Sequence, residues 1–114
     1  MNSCIFCKIA EGKAKAEVVY QNDRILAFRD IDPKAPVHIL IIPRKHIATI
    51  NDLSSNDKDL IGDFFLAAKE IAKMENLSER GYRLVFNCNR EGGQAVYHIH
   101  LHLLGGRSMK WPPG

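Results

Sequence analysis

Three histidines, His98, His100 and His102, occupy alternate positions of residues 97–104, and apolar residues separate them. This period of two predicts a β-strand whose three imidazoles project from one face of a sheet. The rise per residue would place the outer two about 13 Å apart, whereas Zn–N bonds measure about 2.0–2.1 Å, so one zinc ion could not easily bind all three. The pattern favours separate roles around a phosphate, with a neutral imidazole as the nucleophile. A purely structural role on the strand face is the alternative.

Length and composition restrict the class of protein. The 114 residues, 46% hydrophobic and 25% charged, are typical of one globular domain over residues 1–114. The net charge of +3 suits an anionic small molecule, and the lack of a basic block with interleaved aromatic residues argues against nucleic acid as a partner. No apolar run is long enough for a membrane span, and residues 1–4 do not resemble the start of a signal peptide. Three cysteines, an odd number, fit a reducing compartment better than a disulfide framework, so the chain is expected to be cytoplasmic. The lack of a long apolar run also predicts that it has no membrane partner.

Periodicity and turn residues predict the elements that position the histidines. A short helix is predicted over residues 4–10 and one long helix over residues 55–75, in which Phe64 and Phe65 are expected to anchor the core. Strands are predicted over residues 18–20, 24–28, 38–42, 82–87 and 96–104, with a Gly-rich turn over residues 89–94. The short connections predict an α+β fold, in which a five-stranded antiparallel sheet carries the long helix on one face and is accompanied by the short N-terminal helix.

The histidine run and its flanks resemble a known signature. Residues 92–97, Gly-Gly-Gln-Ala-Val-Tyr, precede the three histidines, and residues 104–107, Leu-Gly-Gly-Arg, follow them. Together these segments resemble the signature of the histidine triad (HIT) family, closest to its Hint branch of purine nucleoside phosphoramidases. The similarity extends over nearly the whole chain, in residues 5–9, 27–31, 36–43, 81–83 and 111–114.

The resemblance implies a reaction and an assembly. It implies hydrolysis of purine nucleoside 5′-phosphoramidates, in which His100 attacks the α-phosphorus and water then hydrolyses the nucleotidyl-histidine. His102 would contact a phosphate oxygen, and His98 and His38 would complete the catalytic set. No cofactor would be required for catalysis. The expected assembly is a homodimer in which two five-stranded sheets join into one of ten strands.

The resemblance also assigns a purine nucleotide site. Asp30 matches the carboxylate that binds the ribose hydroxyls, and Asn87 matches an asparagine near the ribose and phosphate. The walls around the base match six apolar residues, Ile5, Phe6, Ile9, Phe28, Ile31 and Leu40. A carboxylate suits two adjacent hydroxyls because it can accept from both, although a turn role beside Pro33 would also explain Asp30.

Three small residues near the triad qualify the match. Ala95 lies where the family often has a hydroxyl or a longer polar residue, so one side-chain contact to phosphate is missing and the leaving-group preference is open. Gly105 and Gly106 would either bring main-chain N–H groups close to a phosphate or simply end the last strand in a turn.

A second set of residues could bind a metal ion. Cys4 and Cys7 have the spacing of paired thiolate ligands, but two ligands do not complete a tetrahedral site. Some family members with this pair complete it with residues that correspond to His46 and His98 here, so the resemblance implies a structural zinc. Reduced thiols packed beside the helix are the alternative.

Three other functions compete with the phosphoramidase. A dinucleoside polyphosphate hydrolase would use the same chemistry, but the Hint-like segment that contains Trp111 argues against it. A non-catalytic nucleotide-binding adaptor would use the dimer surface, and a metallohydrolase would use the triad as zinc ligands. Trp111 itself is expected to pack against another part of the protein, such as a second subunit.

Overall fold

A computed structural model describes residues 3–114, and it contains one five-stranded antiparallel sheet with the strand order β1-β2-β3-β5-β4. The strands are β1 (Val18–Gln21), β2 (Ile25–Arg29), β3 (Val37–Pro43), β4 (Tyr82–Phe86) and β5 (Leu101–Gly105). The α-helices are α1 (Ile5–Ala10), α2 (Lys58–Met74) and α3 (Asn89–Gly92). The predicted α+β fold is confirmed, and α3 occupies the predicted Gly-rich turn. Within the described residues, no helix combines the length and the apolar character that crossing a membrane requires.

The main core lies between α2 and one face of the sheet. Ala27, Ile41 and Leu101 are opposite one another on three neighbouring strands, so their side chains share this face. Helix α2 presents buried side chains at every third or fourth position, which is the spacing of one helix face. Those buried side chains are Leu60, Phe64, Ala67, Ala68, Ile71 and Ala72.

The two neighbouring phenylalanines of α2 differ in burial. Phe64 is completely buried, whereas Phe65 is 46% exposed, so the expectation that Phe65 anchors the core is wrong. Consecutive helix residues are rotated by about 100° around the axis, and a helix that packs on one sheet buries only one of the two side chains. The ring of Phe65 instead lies near Phe86 of β4, with 6.5 Å between ring centroids.

The start of α2 is tighter than predicted. Residues 55–57 form a 3₁₀ turn, and the α-helix begins at Lys58. Ser54 and Asp57 form a reciprocal capping box around this turn, in which the main-chain N–H of Ser54 donates to the Asp57 carboxylate. The Asp57 carboxylate also accepts from Lys45, which fixes the connection after β3 to the start of the helix.

Helix α1 covers the opposite face of the sheet. Its residues Phe6 and Ile9 pack with Leu26 and Phe28 of β2, and Leu40 and Ile42 of β3 complete this second apolar cluster. A helix of six residues is marginal on its own, so this packing and the cap provided by Cys4 hold it in place.

The last strand is shorter than predicted. The expected strand covers residues 96–104, but the ladder covers Leu101–Gly105, so His98 and His100 precede β5 and only His102 lies in it. The partner strand β3 ends at Pro43, which has no N–H to donate, and the Pro43 carbonyl accepts from the His98 side chain instead. The N–H of Ile99 donates to the Ile47 carbonyl at 2.8 Å, outside the sheet.

Candidate active site

Two histidines on neighbouring strands form a directional hydrogen-bond chain. The main-chain N–H of Lys34 donates to Nδ1 of His38 at 3.0 Å, so the proton of a neutral His38 ring lies on Nε2. That Nε2–H donates to Nδ1 of His102 at 2.9 Å, which leaves the His102 proton on Nε2. Nε2 of His102 is buried and has no hydrogen-bond partner within residues 3–114. The chain therefore ends in a buried N–H donor that is available to a ligand.

His100 is held in the opposite tautomer. Its Nδ1–H donates to the main-chain carbonyl of His98 at 2.8 Å, so Nε2 keeps its lone pair. The His100 ring lies between two others, with centroids 4.9 Å from His102 and 5.1 Å from Phe6 in an edge-to-face contact. A lone pair on His100 and an N–H on His102 thus lie on adjacent imidazoles.

Burial keeps this group of imidazoles neutral. It lowers the pKa of His38 and of His100 below the ordinary histidine value. It also lowers the pKa of His102, which the nearby His100 and His38 reduce further, to about 4. Nε2 of His38 lies 3.5 Å from the Asp30 carboxylate, and because desolvation outweighs this carboxylate the contact joins a neutral imidazole to an anion. Neutral rings are the form in which one nitrogen can attack and another can donate.

The two polar residues of the predicted nucleotide site flank the histidines. Oδ1 of Asp30 accepts from the N–H of Asp32 at 2.9 Å, and the carboxylate remains partly exposed. Asn87 directly follows β4 and lines a cavity of about 530 Å³ together with Val85, which lies opposite His102. Asp30 therefore lies against His38, and Asn87 lies two residues beyond the strand position that is opposite His102.

The structure brings together four of the six residues predicted to surround a base. Phe6, Ile9, Phe28 and Leu40 are buried in the α1 cluster. Leu26 and Ile42 belong to the same cluster and were not predicted, although their alternation with neighbouring residues places them on this face. Of the other two, Ile5 is 46% exposed at the edge of α1, and Ile31 is 98% exposed in the loop after β2, outside the cluster.

The glycines after the triad have packing reasons for being glycine. A Cβ on Gly105 would lie 2.5 Å from the Leu77 side chain on the core face of the sheet. Gly106 has a φ of +91°, and a Cβ there would lie 2.8 Å from Pro36. The positive φ of Gly106, directly after β5, is compatible with the predicted turn that ends the strand.

The four residues of the predicted metal site converge. The ligand atoms of Cys4, Cys7, His46 and His98 all lie within 4.8 Å of one another. Nδ1 of His98 is 3.4 Å from Sγ of Cys4 and 3.5 Å from Sγ of Cys7. Nδ1 of His46 is 3.2 Å from Sγ of Cys7 and 3.2 Å from Nδ1 of His98.

This donor set fits a tetrahedral zinc ion. Bonds of about 2.0–2.3 Å in a tetrahedron separate the ligand atoms by roughly 3.3–3.8 Å, close to the separations between the two rings and the sulfurs. The Nε2–H of His98 donates to the Pro43 carbonyl at 2.8 Å, so its Nδ1 lone pair faces the cluster. Such a bond to the second ring nitrogen is the usual way to orient a metal-binding imidazole.

The three histidines of the run belong to different environments. His98 lies in the cysteine cluster, while His102 lies with Asp30 and His38 in a second group whose polar atoms are within 4.8 Å. In that second group the His38 Nε2–H donates to His102 Nδ1, so each of these two nitrogens already has the other as its hydrogen-bond partner. His100 belongs to neither group. This division disfavours a metallohydrolase in which the triad binds one ion.

Three supporting groups were not predicted from the sequence. The Lys34 N–H and the Pro43 carbonyl, both main-chain atoms, set the tautomers of His38 and His98. Gln94 is buried, and its amide donates to the carbonyls of Ala48 and Val96 while its oxygen accepts from Asn89. The one feature of the sequence that could have indicated this third group is a glutamine in the Gly-rich turn before the histidine run.

Known proteins resemble this chain in sequence and in fold. Residues 11–109 match the model of the HIT domain. Purine nucleoside phosphoramidase of Escherichia coli K12 is 51% identical over 105 residues, which cover 92% of this chain and 88% of that protein. The structure of a HIT family hydrolase from Legionella pneumophila has a TM-score of 0.96 and 62% identity, and the match covers 98% of this chain and 100% of that one. The structure of a histidine triad nucleotide-binding protein from Candida albicans has a TM-score of 0.84 and 32% identity, over 96% of this chain and 83% of that one. The chain therefore belongs to the HIT domain family.

Proposed function

We propose that this protein hydrolyses purine nucleoside 5′-phosphoramidates, of the AMP-amine type, through a nucleotidyl-histidine intermediate on His100. The similarity to a purine nucleoside phosphoramidase, at 51% identity over most of both chains, supports the reaction class. The observation that carries the mechanism is the hydrogen bond from Nδ1–H of His100 to the His98 carbonyl, because it leaves the Nε2 lone pair available.

The first step is attack of His100 Nε2 on the α-phosphorus. The new N–P bond forms as the P–N bond to the leaving amine breaks, and the amine takes its proton from solvent. Positive charge develops on the His100 ring, and the carbonyl that already accepts from Nδ1–H stabilises it. The buried Nε2–H of His102 is oriented to donate to a phosphate oxygen as negative charge builds there.

The second step returns the enzyme to its starting state. Water attacks the phosphorus of the nucleotidyl-histidine, the bond to His100 breaks, and the nucleoside monophosphate leaves. The fixed His98 carbonyl selects the same tautomer of His100 again. No cofactor takes part in either step.

The nucleotide would bind beside α1. The buried residues Phe6 and Phe28 would form the floor for the base, and the exposed Ile5 and Ile31 would flank it. Asp30 would accept from the ribose hydroxyls, and Asn87 would contact the ribose and phosphate.

The cysteine cluster would hold a structural zinc. The zinc would be bound by Cys4, Cys7, His46 and His98, and it would join the start of α1 to the segment before β5 without an open position for water. Reduced thiolates are required for this site, which agrees with a cytoplasmic location.

A homodimer would form through β4. This strand is at the edge of the sheet, and all five of its residues are half-buried. Pairing with β4 of a second copy would satisfy its open main-chain groups, extend the sheet to ten strands and cover the nearby exposed Phe65.

The mechanism is tested by trapping the intermediate. One turnover with a phosphate-labelled adenosine phosphoramidate, in the presence of a chelator, should place the label on His100. The His100→Ala variant should lose turnover but bind AMP within about tenfold of the unaltered protein, since one lost contact costs only about 1–1.5 kcal/mol.

The same experiment separates the competing functions. Label on His98 or His102 would show that the nucleophile is wrongly assigned. AMP binding without turnover by the unaltered protein would indicate an adaptor, and faster cleavage of diadenosine polyphosphates would indicate the alternative hydrolase.

A further inference from the structure

His98 joins the cysteine cluster to the active site through two different groups. Its side chain provides Nδ1 to the cluster, at 3.2 Å from Nδ1 of His46 and 3.4 Å from Sγ of Cys4. Its main-chain carbonyl accepts the Nδ1–H of His100 at 2.8 Å. The position of one residue therefore affects both sites.

The main chain at His98 is not fixed by the sheet. The ladder between β3 and β5 begins at the pair Ile41 and Leu101, so His98 and His100 lie outside it. The nearby main-chain bond runs from Ile99 N–H to the Ile47 carbonyl, and each of these residues directly follows a histidine of the cluster. A metal ion between His46 and His98 would thus reinforce the bridge that already joins these two segments.

A second route leads from the cluster through α1. Cys4 caps this helix and Cys7 lies within it, so the cluster holds the helix start. Phe6, between the two cysteines, contacts the His98 ring at 5.9 Å and the His100 ring at 5.1 Å, edge to face in both cases. Anchoring α1 therefore also restrains the ring of His100.

We propose that the cluster of Cys4, Cys7, His46 and His98 is a positioning device for His100, so that metal binding fixes the tautomer and orientation of this imidazole. This inference rests on the proposed nucleophilic role of His100. The four residues act through the His98 carbonyl and Phe6, and they do not contact the reacting atoms. Metal loss should then change the chemistry of His100 in a protein that remains folded.

The test compares zinc-loaded and zinc-free protein at a temperature at which circular dichroism shows both to be folded. Nitrogen NMR of the imidazoles at about pH 8, where histidine is neutral, reads the tautomer directly. Loaded protein should show His100 with its proton on Nδ1, and zinc-free protein should show a mixture of the two tautomers. Turnover of the adenosine phosphoramidate should fall roughly tenfold, about the effect of losing one well-placed hydrogen bond, and zinc chloride should restore both signals.

Variants repeat the comparison without a chelator. His46→Ala removes an exposed ligand, and it should reproduce the zinc-free spectrum and rate. Cys88→Ser is the matched control for Cys4→Ser, because Cys88 lies outside the cluster, and only Cys4→Ser should lose zinc.

Two results would overturn the inference. One is an unchanged His100 tautomer in folded zinc-free protein, and the other is full turnover by that protein, which would leave the cluster a purely structural role. If zinc-loaded protein does not hydrolyse phosphoramidates at all, the proposed function fails, and the NMR comparison still decides the coupling.

Discussion

Replacing His38 with alanine tests whether a hydrogen-bond chain sets the donor in the active site. His38 receives a hydrogen bond from the Lys34 N–H and gives one to Nδ1 of His102. Without His38, no other hydrogen-bond donor among residues 3–114 reaches Nδ1 of His102 and keeps the His102 proton on Nε2. In the other tautomer, the Nε2 lone pair of His102 would face and repel the phosphate oxygen of the substrate, and the proposed catalytic donor would be lost.

The size of the effect follows from the groups involved. A hydrogen bond to a charged oxygen contributes about 1.5–3 kcal/mol, so kcat/KM should fall roughly 10- to 150-fold. The free energy of unfolding should also fall, by about 1–3 kcal/mol, because a buried nitrogen of His102 and the Lys34 N–H lose their partner. Small domains have about 5–15 kcal/mol of stability, so the variant should remain folded during the assay.

The conservative variant His38→Gln provides the control. Its amide keeps one acceptor and one donor, so it should recover part of the lost kcat/KM through the bond to His102. The measurements are phosphoramidate hydrolysis at several substrate concentrations and urea unfolding of the same samples. A kcat/KM for His38→Ala within about twofold of the unaltered value would refute the reasoning, and so would a glutamine variant no better than alanine.

Three further perturbations address other parts of the site. Asp30→Ala should weaken binding of AMP far more than that of its 2′,3′-dideoxy analogue, because only the ribose hydroxyls lose an acceptor; equal losses in calorimetry would reject this role. Burial and the nearby imidazoles reduce the pKa of His102 to about 4, below its value of about 6.5 in the unfolded chain. Between these two pH values the unfolded state binds more protons than the folded state. The free energy of unfolding in urea should therefore fall as the pH decreases from about 6.5 to 4. A His102→Ala variant that keeps the full pH dependence would show that His102 is not its source. Truncation before Trp111 should change leaving-group preference more than melting temperature, because this side chain is 82% exposed while its neighbours line the cavity beside Val85 and Asn87; a large loss of melting temperature with unchanged kinetics would count against it.

Apolar pattern was sufficient to predict most of the sheet and the long helix. The run in β3 is almost continuously apolar because α1 covers one face and α2 the other, and six of its seven residues are buried. The apolar stripe of α2 likewise predicted a helix that packs on one face of the sheet. Pattern alone did not distinguish Phe64 from Phe65, because both are apolar and only the direction of the helix face separates them.

Main-chain groups explain the features of the site that could not be predicted from the sequence. Alternation of histidine and apolar residues predicts a strand, but Pro43 on the partner strand removes the donor that would continue the ladder to His98. The tautomers of His38 and His100 depend on the Lys34 N–H and the His98 carbonyl, whose positions no residue type specifies. Residue spacing likewise left the partners of Cys4 and Cys7 open, and only the family resemblance indicated them.

Equal spacing in the histidine run produces three unequal chemical groups because the chain leaves the sheet within it. His102, inside the ladder, is held by a neighbouring strand, and its free N–H is fixed through His38. His98, outside the ladder, turns toward the cysteines and donates its other N–H to Pro43. His100 lies between them and takes its orientation from the main chain of His98. A regular strand through all three would give them similar surroundings, so under the proposed function the early end of the ladder would allow one histidine to bind metal, one to attack and one to donate.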